Sequence, residues 1–556
     1  MSITFLNKYE KILTEGTTKQ IQITIRSLLK KAEVPSADTL ASMLASFPPE
    51  RRLGILKQLA PQQFLSENAF RLHSKLKRSY PELLDILSET AAFRTAFPAT
   101  GIPAQSRAID GTVQKKFNAG IGVAKTEDGD ILLNSVFEDV LNHLKCKSVT
   151  DDEWRKIRNC ICSYTNGLGA PWYRTTAKLR YLSEGSEDES SLRAAVAKNL
   201  RINPIPVYGG TAGLNAAFEI GVGSNCPIIF PTTYWGNMNL KGDHIQACKV
   251  VSDWIDRDAR INPEKLAECL YHLKERKFKK AAVYFNFPHN PTGVVPTHEE
   301  AEQLARVIHR HASKDFKIIV ICDEPYYPFL RGYKAIDVPF SYYMHPGTNR
   351  NILCFVSING TKRDGMYGFR HSDLIILTPE NIKPEAVEIL EKDIVAGYLR
   401  GAHSFSNVLN QYLLAWAISG NPKLPLEKNP IISLNPEYKK AERIMCQFMK
   451  EHVESTIGTL NSIPDLEFIG EESDLCSAGG FFICFRLSEQ LHREGITALD
   501  VHKAGLKNNC GIIATNDYIR INALIRKDCL FLFKERLERS IEDARIERSR
   551  AKQTAQ

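Results

Sequence analysis

From about residue 150 to about residue 420 the apolar residues follow two alternating rhythms. Ile205-Pro-Val-Tyr208, Pro227-Ile-Ile-Phe230, Ala281-Ala-Val-Tyr-Phe285, Lys317-Ile-Ile-Val-Ile-Cys322 and Ile352-Leu-Cys-Phe-Val356 are short runs rich in β-branched and aromatic residues. Unbroken runs of this kind mark strands buried on both faces. Segments with helical spacing, such as Glu299 to Arg310, separate most of them. The alternation predicts an open, mostly parallel sheet covered by helices, with ligands at the carboxyl ends of the strands. Gly209-Gly-Thr, Pro231-Thr-Thr-Tyr-Trp, His289-Asn-Pro-Thr-Gly, Asp323-Glu-Pro-Tyr and Asn359-Gly-Thr-Lys each follow one of these runs directly. The topology therefore gathers these polar clusters at one rim.

The flanks read differently. Residues 1 to about 95 carry helix starts at Ser36-Ala-Asp38, Pro48-Pro49-Glu50 and Pro81-Glu82, the last leading into Leu83, Leu84, Ile86 and Leu87. They predict a helical layer packed on the main body, in preference to a separate binding module. Residues 97–112 are rich in turn formers and read as a linker. Beyond 430, helical segments and a hairpin-like Gly479-Gly-Phe-Phe-Ile-Cys-Phe485 predict a smaller α+β domain, and Glu547 to Gln556 reads as a frayed tail. The expected division is a helical extension and linker over 1–110, a large domain over 150–425, and a small domain built from 111–149 and 426–556.

Composition narrows the class. A chain of 556 residues is too long for one core. Its net charge of +8 is spread among nearly as many acids as bases, a hint of acidic ligands and no footprint of a nucleic-acid protein. No stretch approaches the roughly 18 apolar residues of a membrane span, and the N-terminus lacks a signal-peptide core. These features lead to the expectation of a cytoplasmic protein. The 13 cysteines are dispersed without paired Cys-x-x-Cys sets, so no metal is expected.

The rim residues suit a pyridoxal 5′-phosphate (PLP) enzyme. Such chemistry needs a lysine on a rigid loop that forms a Schiff base with an aldehyde, and Lys362 is the candidate, although most lysines are solvated surface groups. A buried carboxylate keeps a pyridine nitrogen protonated, a role open to Asp323 unless it only caps a helix. Tyr326 and Asn290 are placed to bond the ring oxygen. The Gly209 to Ala212 turn, with Gly210 and Thr211, leads from a strand into a helix, the geometry that holds a phosphate, and Arg370 would add a bidentate contact. Trp235 could stack on the ring or simply belong to the core.

With these residues assembled, the chain resembles the class I aminotransferases, of the aspartate and aromatic type, from about Phe117 to about Asn522. The resemblance implies the α/β PLP-dependent transferase fold of aspartate aminotransferase, with a large, mostly parallel domain and a small α+β domain; the helical extension has no counterpart there. Gly122, in Asn118-Ala-Gly-Ile-Gly122, is similar to the glycine beside the substrate. Tyr181 looks like the tyrosine that reaches the partner subunit's phosphate, which implies a homodimer. Arg520, in Arg520-Ile-Asn-Ala, looks like the arginine that clamps the substrate α-carboxylate. Arg400 lies near where a distal carboxylate is bound across the dimer interface, with a spacing to Ser406-Asn407 one residue longer than in the family. Asn359 stands where the family usually has a phosphate-binding serine, Met238 where a histidine often supports the ring-binding aspartate, and His371-Ser372 where a small apolar pair is usual.

The implied reaction is ping-pong transfer of an amino group between a dicarboxylic or aromatic L-amino acid and a 2-oxo acid. A lyase or decarboxylase on the same fold is one alternative. Another is a non-catalytic regulator whose N-terminal helices bind DNA, against which stand the scattered basic residues of 1–95 and the lack of a winged-helix pattern.

Overall fold

A computed structural model describes residues 67–88, 91, 130, 135–185, 189–224, 226–330, 335–358, 360–428, 430–469, 479–514 and 518–554. The expected helices before residue 67, the linker and Gly122 lie outside the described residues, as does Asn359.

The predicted parallel sheet is present. Its strands are β1 (Ile205–Val207), β2 (Pro227–Pro231), β3 (Cys248–Ser252), β4 (Lys280–Asn286), β5 (Lys317–Glu324), β6 (Ile352–Ile358) and β7 (Ser372–Leu377). They lie in the order β1-β7-β6-β5-β4-β2-β3, and only β7 runs against the others. All five strands read from the sequence are there. The two missed ones have ordinary causes: β3 is an edge strand with a largely exposed pattern, and β7 opens on the polar pair Ser372-Asp373. Every residue of β5 and β6 is buried, which is why both read as unbroken apolar runs.

Helices cover both faces, over two hydrophobic cores. On one side, α1 (Glu67–Ser79) and α2 (Pro81–Ile86) bury Leu72, Leu76, Leu83 and Ile86 against the second of these cores. Ser88 N–H then donates to the Ile220 carbonyl at 2.7 Å. The described end of the N-terminal region is thus packed on the main body. Further along come α3 (Pro171–Leu182), α4 (Gly209–Ala217), α5 (Asn237–His244), α6 (His298–His311), the single turn α7 (Gly360–Arg363) and α8 (Ala396–Ala402). Thr297 opens α6 with a reciprocal capping box to Glu300.

A second sheet has the order β10-β11-β9-β8, with β8 (Leu466–Phe468), β9 (Phe482–Leu487), β10 (Ile513–Ala514) and β11 (Tyr518–Asn522). The expected hairpin near 479–485 is a single strand, β9, held between β8 and β11. This sheet shares a core with α9 (Pro436–Leu460), α10 (Ala498–Lys507) and α11 (Lys527–Thr554). The expectation of a frayed tail from Glu547 is corrected, because α11 continues to Thr554. Its last turns are tied back by Lys507 to Glu547 and by Lys552 Nζ to the Glu494 carbonyl at 2.9 Å. No described helix is long and apolar enough to cross a membrane, and the described cysteines are unbridged.

Candidate active site

The rim forms where β4, β5 and β6 end side by side. The register pairs Asn286 with Asp323 and Asp323 with Ser357, so three polar residues line up across the strand ends. Asp323 is buried, and burial pushes its carboxyl up to about 6, although a hydrogen bond from Tyr284 and the charges of Lys362 and Lys241 oppose the rise. The Tyr284 hydroxyl donates to Asp323 Oδ2 at 2.7 Å, and Asn286 Nδ2 donates to the Asp323 carbonyl at 2.8 Å. Sequence reasoning missed Tyr284 and Asn286. Their i, i+2 spacing puts both on one face of β4, and this period was the available signal.

Lys362 sits in α7, its ammonium 4.3 Å from the centre of the Tyr326 ring. Burial lowers its pKa, Asp323 acts in the opposite direction and Arg370 lowers it further. Lys362 therefore lies within the field of both an anion and a cation expected at the site. Tyr326 is buried as well, which raises the pKa of its hydroxyl, and that hydroxyl bonds the Asn290 side chain.

Asn290 joins the two sheets. Its backbone N–H donates to Asn286 Oδ1 at 2.8 Å, while its own Oδ1 accepts from Arg520 of β11 at 3.0 Å. The Arg520 guanidinium also lies 4.2 Å from the centre of the Phe482 ring. The turn that carries Asn290 is closed over by the small sheet. A Cβ on Gly293, at φ +79°, would meet the Phe482 carbonyl at 2.4 Å, so only glycine fits there.

At the other end of the rim, α4 begins at Gly209, with Gly210, Thr211 and Ala212 in its first turn. A Cβ on Gly209, at φ +73°, would stand 3.0 Å from a guanidinium nitrogen of Arg370. Arg370 therefore lies directly against the helix N-terminus, where unpaired N–H groups and the helix dipole already favour an anion. A buried lysine absent from the sequence reading, Lys241 of α5, donates to the Thr211 carbonyl at 3.2 Å. Its desolvation brings its pKa down to about 8.

The remaining candidates are placed as follows. Trp235 is partly buried beside Tyr234, against the core that holds Met238. Arg400, in α8, lies with its guanidinium 4.6 Å from the centre of the Phe405 ring. Tyr181 is a correction. It is 3% exposed within the core, and its hydroxyl bonds Ser341 Oγ at 2.8 Å, so it is not available to another subunit. Apolar packing on both sides of α3 turns this tyrosine inward. Glu189, His298 and Asp337 bring ligand-type atoms within 4.8 Å of one another; all three are at least partly exposed, and His298 is in ion-pairing range of both acids, which accounts for the group without a metal.

Residues 188–423 match the family model described as aminotransferase class I and II. The match covers less than half of the chain. The match supports an enzyme of the aminotransferase type. No curated protein matches the sequence. Among solved structures, an aminotransferase from Anaerococcus prevotii is 19% identical, with a TM-score of 0.52 over 80% of this chain and 98% of its own. The kynurenine aminotransferase of Pyrococcus horikoshii, solved with PMP, is 14% identical, with a TM-score of 0.52 over 79% of this chain and 99% of its own. An aromatic aminotransferase from the same organism is 17% identical, with a TM-score of 0.50 over 71% and 93%. These likenesses establish the fold.

The family is PLP-dependent, and the described aminotransferase residues fit that group. A cradle at Gly209 that a Cβ would fill, with Arg370 against it, suits a phosphate. The buried Asp323 suits a ring cation, and the desolvated Lys362 suits an aldehyde.

Proposed function

We propose that this protein is a PLP-dependent aminotransferase that moves an amino group between an L-amino acid and a 2-oxo acid with ping-pong kinetics. The observation that carries the reading is Lys362, a desolvated amine in the joint field of Asp323 and Arg370 at the ends of β5 and β6. When bound, the cofactor supplies the electron sink that makes a Cα–H bond acidic. In this reading Gly210, Thr211 and Ala212 with Arg370 hold its phosphate, Asp323 its ring nitrogen, and Tyr326 with Asn290 its ring oxygen.

The chain's own groups then divide the work. Arg520, oriented by Asn290 and by the face of Phe482, binds the α-carboxylate and fixes the direction of the Cα–H bond. Lys362 Nζ accepts the Cα proton; its lowered pKa leaves more of the amine neutral near pH 7, the form that can take a proton. The small sheet, docked at Gly293 and Phe482, keeps water from the reacting carbon. Dicarboxylic and aromatic donors both suit an Arg520 clamp. Selection between them would fall to Arg400 from a second copy of the chain, and the exposed Tyr164 and Tyr208, with the half-buried Phe405 stacked on Tyr164, offer an aromatic face for that copy. The division into a large and a small domain is supported by the two sheets, each with a core of its own, although Cys484 and Tyr518 of the small sheet also pack into a core of the large one.

The test is a spectrum of the PLP-loaded protein during addition of single amino acids without an oxo acid. Loss of the visible band with a rise near 330 nm, about the wavelength of the amine form, is expected for the true donor. Lys362→Ala should cut turnover by about 10⁴-fold or more and remove borohydride-trapped cofactor at residue 362. Release of ammonia or carbon dioxide with no oxo acid consumed would replace this reading with a lyase. An undiminished rate in the variant would end it.

A further inference from the structure

The two residues after Lys362 point away from the rim into a buried ionic cluster. Arg363 is 1% exposed in its side chain; it pairs with Glu184 at 2.7 Å and with Glu442. Asp364 accepts a hydrogen bond from the Tyr438 hydroxyl at 2.7 Å and faces Arg180 at 3.6 Å. Lys439 closes the group, 3.4 Å from Glu184 and 3.1 Å from Glu442, while Arg180 also reaches Asp373 of β7 at 3.5 Å. Three cations and four carboxylates thus meet on α3 and the loop after it, on the α7 turn, on β7 and on α9. Burial alone would push the Glu184 carboxyl up, but Arg363 and Lys439 outweigh it and hold the pKa below its usual value.

Charges are expensive to bury, and a well-packed apolar cluster would stabilise the fold at least as well. What the ionic arrangement adds is direction, because each partner must sit at one position. The α7 turn has only four residues, too short to be stable by itself, so its neighbours set its position. Those neighbours lie on α9. That helix has 25 residues and is about 37 Å long at 1.5 Å per residue. Its first turns hold Tyr438, Lys439 and Glu442, and its last turns bury Val453, Ile457 and Leu460 in the core of the sheet that carries Arg520.

We propose that Arg363 and Asp364 are positioning residues, through which α9 ties the placement of Lys362 to that of the small sheet and its Arg520. The proposal rests on the reading of Lys362 as the cofactor lysine. A shift of the small sheet on binding a carboxylate substrate would be carried along α9 to the turn that holds the amine.

Full-length Glu442→Gln keeps the shape of the side chain and removes one of the two carboxylates on Arg363; Arg363→Lys keeps the charge without the fork and serves if the first variant does not fold. Amide hydrogen exchange is read on the cofactor-free protein. Exchange over 360–369 should rise at least tenfold while β5 stays unchanged. In the loaded enzyme kcat should fall about tenfold, with KM for the amino acid within twofold of wild type. Exchange within twofold of wild type over 360–369, even with a lowered melting temperature, overturns the proposal and leaves the cluster a structural element. A wild type that traps no cofactor at Lys362 overturns the functional reading along with it, whereas trapped cofactor with unchanged exchange overturns the coupling alone.

Discussion

Asp323 and Glu324 are neighbours at the end of one strand, both buried, and they face opposite sides of the sheet. Asp323 looks into the rim, toward Tyr284 and Lys362. Glu324 looks the other way, where the Ser341 N–H and hydroxyl donate to it at 2.6 and 3.0 Å and Ser341 in turn meets Tyr181. Burial raises both carboxyls, Asp323 to about 6 and Glu324 to about 8. The two therefore differ in charge near neutral pH: Asp323 is mostly ionised and suited to hold a cation, while Glu324 is mostly protonated and acts as a neutral hydrogen-bonding group. Position on a two-residue repeat, more than residue type, separates chemistry from structure here.

Asp323→Asn should have the largest effect, since it removes the only carboxylate on the rim side of the pair. Cofactor affinity and turnover are each expected to fall by a hundredfold or more, on the order of 3 kcal/mol for a buried charge-assisted contact. In the wild type, affinity measured by cofactor titration should decline as pH drops through about 6, because the carboxylate takes up the proton that cancels its charge. An affinity independent of pH from 5 to 8 would remove the distinction between the two acids.

The strands and the rim were legible in the sequence because burial on both faces leaves unbroken apolar runs and because polar residues at strand ends stand out against them. Lys362, Asp323, Tyr326, Asn290 and Arg370 were proposed on that basis. Tyr284 and Asn286 were hidden inside a strand read only for its apolar content. Tyr181 was misassigned because a motif records spacing along the chain and not the side of a helix that the core claims. The ionic cluster at Arg363 was invisible for a related reason: its contacts join residues as far as 258 positions apart, as between Arg180 and Tyr438, and each charged member alone resembles a surface charge.

Glu324→Gln should have a smaller effect, of a different kind. Near pH 7 glutamine copies the protonated acid, so turnover is expected to stay within about threefold of wild type. The stability profile should change instead. With a folded pKa near 8, raised from 4.5, the wild type keeps its full stability only below the unfolded value and loses it as pH climbs through about 8. At about 1.4 kcal/mol per pKa unit the loss amounts to a few kcal/mol, and the variant should lack it. Equal pH profiles from pH 5 to 9 in thermal melts would show that Glu324 is not protonated in the fold.

Tyr181→Phe is expected to do least. It removes one buried hydroxyl from the Glu324, Ser341 and Tyr181 chain while keeping the ring packed at right angles to Tyr342. The expected cost is about 1 kcal/mol, read as a fall of a few degrees in melting temperature, because Ser341 keeps Glu324 as a partner. Turnover and cofactor affinity should not change, since the hydroxyl faces away from the rim and toward the acid that does no chemistry. A tenfold loss of cofactor affinity from this single oxygen would join the two faces of the strand into one functional unit and return Tyr181 to the site from which its burial removes it.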